Sequence, residues 1–385
     1  MIETSLFEKL VKIRHHLHQY PELSNQEYLT TAFLREYLEN LNVRILETNL
    51  KTGLIAEIGQ GSPVIALRAD IDALPIIERT GLPYASLTHG VMHACGHDFH
   101  QTSLLGAAEI LKQFEPQLEG TVRLIFQPAE ETSHGASAVL ETGRLDDVIA
   151  ILGFHNMPQL KANQLAIKSG GVMAGVEKFR VDVAGVSSHA ARPDLGVDTV
   201  MAITSMVQEL QQLISRRVSP FEPAVLSITH IEAGSTWNVL PQSGFFEGTI
   251  RTFNPDLQKL LKCDFIQIVE KIAQSMGAQV KMNWDHTPPV TYNNPELTEL
   301  IRFNTSRFQT VLEAVPSMAG EDFAFYQEKI PGVFVFIGSN GAIDAPDLHN
   351  DQMTIDDQAF YVSVPFYVKN AIFLLQHYKK KLSGE

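Results

Sequence analysis

The densest chemistry in this chain of 385 residues lies at His93-Ala94-Cys95-Gly96-His97-Asp98-Phe99-His100. In an extended loop, Cys95 and His97 sit two residues apart and point to the same side, and Gly96 between them permits a tight bend around an ion. A lone cysteine is ordinarily a small buried hydrophobe and a lone histidine a satisfied polar residue. Clustered as they are here, thiolate and imidazole make a usable transition-metal pair. His15, His16, His18 and His286 have no such company and carry no metal expectation. Cys263, the other cysteine, lies far away in a different setting, so no disulfide framework is expected.

Three apolar segments run into residues of the same chemical kind. VIALR leads to Asp70 and Asp72, VRLIFQ to Glu130 and Glu131, and VIAILGF to His155. At the C-terminal edge of an open α/β sheet such residues converge although they are distant in sequence. The adjacent glutamates suit a division of labour, one carboxylate ligating a metal while its neighbour takes a proton from water. Asp70 is read as an outer acceptor that orients a ligand histidine.

The elements that must position these groups follow from pattern. Ser5 with Glu8 makes a capping-box signature, and Leu6, Leu10, Ile13 and Leu17 recur at helical spacing until Pro21. A helix near 25–41 follows, then buried-strand patterns at 64–70, 122–131 and 148–156 separated by helical stretches at 98–114 and 134–142. This alternation predicts an α/β fold whose mostly parallel sheet is flanked by helices. After 170–175 the segment EKFRVDVAG alternates apolar and polar residues, as a half-solvated strand does. Residues 176–287 therefore read as an inserted α+β domain, with 1–175 and 288–385 forming the catalytic domain.

A formal net charge of -14 argues against nucleic-acid and anionic-membrane partners. The start lacks a secretory pattern and no apolar run is long enough to span a bilayer, so a cytoplasmic protein is expected.

RADIDALP at 68–75, HACGHDFH at 93–100, FQPAEE at 126–131 and GEDFAFY at 320–326 together resemble the M20 peptidase family, amidohydrolase subgroup, over nearly the whole chain. The resemblance implies a two-metal site held by Cys95, His97, Glu131, His155 and His349, with Cys95 bridging and Glu130 as general base. It implies a lid domain that carries a homodimer interface. SSHAARP at 187–193 supplies His189, which in the family polarises the substrate carbonyl from the partner's lid, and STWNVLP at 235–241 supplies Asn238. Gly320 matches a position near the bound substrate. Asn350 and Asp351 depart from the usual residues after His349, as Ala319 departs from the common glycine before Gly320.

The implied reaction is hydrolysis of the amide bond of a small N-acyl amino acid by water activated at divalent zinc, manganese, nickel or cobalt. A dipeptidase or aminopeptidase uses the same chemistry. A binding protein on the same fold would need damaged ligands, and a hydrolase with Cys95 as nucleophile would need no metal.

Overall fold

A computed structural model describes residues 2–383, which fall into two compact units. The first comprises residues up to 172, 292–315 and 322 onward; the second comprises 173–291 and 316–321. Residues 316–321, placed by sequence texture in the catalytic domain, thus pack with the second unit.

The first unit is built on an eight-stranded sheet, in the order Arg44–Leu46, Leu54–Gly59, Thr121–Gln127, Val64–Asp70, Val148–Lys161, Gly332–Asn340, Leu165–Ile167, Val311–Glu313. Its four central strands run parallel. Thr121–Gln127 and Val64–Asp70 are buried at every position, as expected of strands covered on both faces. The helices Thr4–Gln19, His97–Gln113 and Phe360–Ser383 pack on one another, and the latter two lie against Val64–Asp70. Leu67, Phe99, Leu104, Phe154, Phe360 and Tyr367 belong to the continuous core between sheet and helices. The first helix begins without the expected capping box: Glu3 is its N-cap, and no side chain bonds the free N–H groups there.

The second unit is a four-stranded antiparallel sheet, ordered Ala224–Ala233, Ser243–Thr252, Gly175–Ala184, Gln279–Trp284. Thr199–Arg217 and Pro255–Met276 pack against it, burying Phe179, Phe246 and Phe265 with Leu210 and Leu261. Both helices start on side-chain caps, Asp198 accepting from Met201 N and Asn254 from Asp256 N and Leu257 N. Among the described residues no helix is long and apolar enough to cross a membrane.

Candidate metal centre

Cys95 and His97 do not lie on an extended loop. Gly96 takes φ +91° as the N-cap of His97–Gln113, so the bend turns His97 into the first turn of a helix. A Cβ at Gly96 would lie 2.4 Å from Asn156 Oδ1 and 2.8 Å from Ile355 Cδ1, which fixes glycine there twice over. His155 is not at a strand end either. Val148–Lys161 continues beyond it, and His155 is in register with Phe336 of the neighbouring parallel strand.

The side chains nevertheless converge. Cys95 Sγ lies 3.4 Å from His155 Nε2 and 3.2 Å from His349 Nε2. His349 Nε2 is in turn 3.4 Å from Glu131 Oε1. Two triads have ligand atoms all within 4.8 Å of one another, Cys95–His97–His155 and Cys95–Glu131–His349, and they share the sulfur. His349 is held at φ +62° with its backbone N–H bonded to Ala94 O, and its side chain is 52% exposed. The other candidate imidazoles are buried.

The hydrogen bonds behind the rings fix which nitrogen carries the proton. His97 Nδ1 faces two acceptors, Asp72 O at 2.9 Å and Asp72 Oδ1 at 3.2 Å, so the hydrogen is on Nδ1. Its Nε2 is fully buried and without a hydrogen-bond partner. His155 Nδ1 likewise donates to Asn156 O at 2.8 Å, leaving its Nε2 lone pair toward the sulfur. A buried ring nitrogen left without a partner costs free energy, which a coordinated cation removes. The donor set of one thiol, three imidazoles and a carboxylate, with outer acceptors on two rings, therefore fits a divalent transition metal.

The ionisation of the centre points the same way. Burial, then Glu131, Glu130 and Asp70, push the Cys95 thiol well above its ordinary range. Burial opposes charge on His97, yet Asp70 and Asp72 outweigh it and hold the ring up at about 10. These carboxylates create a negative potential that favours a cation and disfavours a free thiolate.

A family model described as "Peptidase family M20/M25/M40" matches residues 66–370. An N-acetyl-L-cysteine deacetylase of Bacillus subtilis is 44% identical over 375 residues, 97% of this chain and 89% of that one. An IAA-amino acid hydrolase of Arabidopsis thaliana is 38% identical, covering 88% of this chain and 80% of that one. A crystal structure from Bacillus subtilis, described as a dinuclear metal binding peptidase from the M20 family, superposes with a TM-score of 0.86 at 40% identity, over 97% of this chain and 99% of the other. The chain belongs to peptidase family M20/M25/M40.

In this M20 chain the outer acceptor on His97 is Asp72, not Asp70. Asp72 also receives Glu131 N–H at 3.1 Å and the Ser24 hydroxyl at 2.7 Å, so one carboxylate ties two candidate ligands together. Asp70 instead bonds His100 Nδ1 at 2.6 Å and Arg68 Nη1 at 2.7 Å, and lies 3.8 Å from His97 Nε2. Two residues of one strand end separate these roles, and their spacing contains no signal that distinguishes them. Arg68 further bonds Gln127 and Asp322, and Asp322 N–H donates to Glu130 Oε1 at 3.4 Å. Burial pushes the Asp322 carboxyl up to about 6.

Within the second unit, Ser188–His189 pairs with Val239–Leu240, which brings Asn238 beside His189; Ala190 N–H bonds Asn238 O at 3.0 Å. Ala191 N–H donates to His189 Nδ1 at 3.0 Å, so the exposed imidazole carries its hydrogen on Nε2. Gly320 lacks a side chain for a packing reason: a Cβ would stand 2.8 Å from Pro288 Cγ and 2.9 Å from Val176 Cγ2.

A second buried network lies under the metal loop, and histidine spacing alone did not mark it. His18 Nδ1 and Arg14 Nε both bond Asp98 Oδ2, at 2.9 and 3.1 Å, and His18 Nε2 is 3.3 Å from Glu78 Oε1. Burial and the nearby Arg14 oppose charge on His18, but Asp98 and Glu78 prevail and raise it to about 9. A folded-state value above the unfolded 6.5 means stabilisation that is complete below about pH 6.5 and lost as pH rises through about 9. Between pH 6 and pH 10 the parent is expected to lose on the order of 3 kcal/mol more stability than His18→Gln, measured by denaturant unfolding. Parallel pH profiles would show that His18 does not carry this charge.

Proposed function

We propose that the chain hydrolyses the amide bond of N-acylated amino acids, with Cys95, His97, Glu131, His155 and His349 holding two divalent ions per subunit. The observation that carries the reading is the single sulfur common to two ligand triads, faced by two buried imidazole nitrogens. The curated relatives support the substrate class, one being named for deacetylation of N-acetyl-L-cysteine and another for hydrolysis of IAA-amino acids.

Divalent metals, when bound, polarise the amide carbonyl and bring the pKa of water toward about 7. Glu130 accepts the proton from the attacking water and returns it to the departing amine nitrogen. Asp72 and the Asn156 carbonyl hold His97 and His155 in the tautomers that offer Nε2. His189, with its proton on Nε2, is the donor for the developing oxyanion, with Asn238 beside it; a homodimer joined through the lid presents this pair from the partner. Zinc, manganese, nickel and cobalt all suit this mixture of sulfur, nitrogen and oxygen donors, and the setting is cytoplasmic.

Metal-stripped protein reloaded with manganese, zinc, cobalt or nickel is expected to cleave N-acetyl amino acids or N-benzoylglycine, and to lose that activity again to a chelator. Cleavage of unblocked dipeptides alone would reassign it as a peptidase, and full activity in the stripped protein would overturn the metal reading.

A further inference from the structure

Glu130 and Glu131 have different tasks although they are adjacent, so the backbone before them must be held in one conformation. The turn Glu130–Thr132 is bracketed by two non-glycine residues in the left-handed region, Ala129 at φ +53° and Ser133 at φ +58°. L-residues resist that region, and Ala129 has no polar side chain to stabilise it locally. Its amide is tied instead to a residue 102 positions upstream: Ala129 N–H donates to Glu27 Oε1 at 2.9 Å.

Glu27 is fully buried, which is costly for a carboxylate without partners. Both of its oxygens are engaged, Oε2 accepting the Thr52 hydroxyl at 2.7 Å. The same strand of contacts continues at Thr31, whose hydroxyl oxygen accepts Gly53 N–H at 2.8 Å. Glu27 does not belong to either candidate ligand triad, and no step of the proposed reaction uses it.

We propose that Glu27 is a positioning residue that pins Ala129 in its left-handed conformation and thereby sets the turn that turns Glu131 to the metals and leaves Glu130 for the proton. The inference rests on the metal reading above, but it concerns reach rather than charge. Glu27→Asp keeps the charge and withdraws the oxygen by one methylene from Ala129 N–H. Glu27→Gln keeps the reach, since its Oε1 still accepts from Ala129 and its amide can donate to the Thr52 hydroxyl.

Metal affinity by chelator competition and kcat on an N-acetyl amino acid are the two readouts. Glu27→Asp is expected to lose about tenfold or more in both, with KM changed far less, and Glu27→Gln to stay within about threefold of the parent. In an Ala129→Gly background the Glu27→Asp loss should shrink, because glycine adopts the left-handed region unaided. A Glu27→Gln loss with Glu27→Asp near the parent would overturn the proposal in favour of an electrostatic role. Unchanged metal affinity in Glu27→Asp, accompanied only by a lower melting temperature of the metal-free protein, would overturn it in favour of simple packing. Should the parent bind metal yet cleave no acylated substrate, the reaction assigned above fails, while the affinity comparison still decides the role of Glu27.

Discussion

Glu130→Gln is expected to lower kcat by about a thousandfold or more while the protein retains its metals and its melting temperature. Glutamine matches glutamate in volume, and its amide oxygen accepts Asp322 N–H as the Glu130 carboxylate does. What it lacks is a basic lone pair for the proton of water. Elemental analysis of the purified variant separates this result from its rival, which the geometry makes a real one, because Glu130, Glu131 and His97 also have ligand atoms within 4.8 Å of one another. Loss of metal from Glu130→Gln, with Glu131→Gln metal-replete and inactive, would exchange the two roles.

The second large effect is expected at Cys95. Its sulfur is common to both triads, so Cys95→Ala should weaken binding of both metals, by about a hundredfold or more, and abolish turnover at ordinary metal concentrations. Titration of the metal-free variant against a chromophoric chelator reads the loss directly. A Cys95→Ser protein that stays metal-replete and inactive would instead mark the thiol as a nucleophile. The surroundings speak against that outcome, since burial and three carboxylates disfavour the thiolate until a cation is present.

The clustering of HACGHDFH and the strand ends at 70 and 127 made the location of the candidate centre legible, because side-chain type and apolar runs are properties of the sequence itself. The assignment of Asp70 over Asp72 shows the limit. Which imidazole each of the two carboxylates meets depends on where the helix His97–Gln113 begins relative to the strand Val64–Asp70, a tertiary relation. The bend at Gly96 was readable as a glycine but not as a left-handed helix start, and the capping box at Ser5 failed because the helix starts two residues earlier than that pattern requires. Glu27, Arg14 and His18 were not visible as buried polar groups, since their partners lie 25 or more residues away. The short strands Arg44–Leu46, Leu165–Ile167 and Val311–Glu313 are three residues each, too short to show a period.

The proposed ligands Cys95 and His349 are 254 residues apart in the chain, and the four segments that supply ligands meet only when the central sheet is assembled. An ion therefore has no preformed nest in the unfolded chain and cannot nucleate folding as it does in a small zinc module. Among the proposed ligands only His349 is exposed, so an ion loading the folded centre would enter past its imidazole. If so, the metal in the mature protein would reflect which ions surround the finished fold, and expression in media of different metal content is expected to yield populations that share a structure and differ in rate.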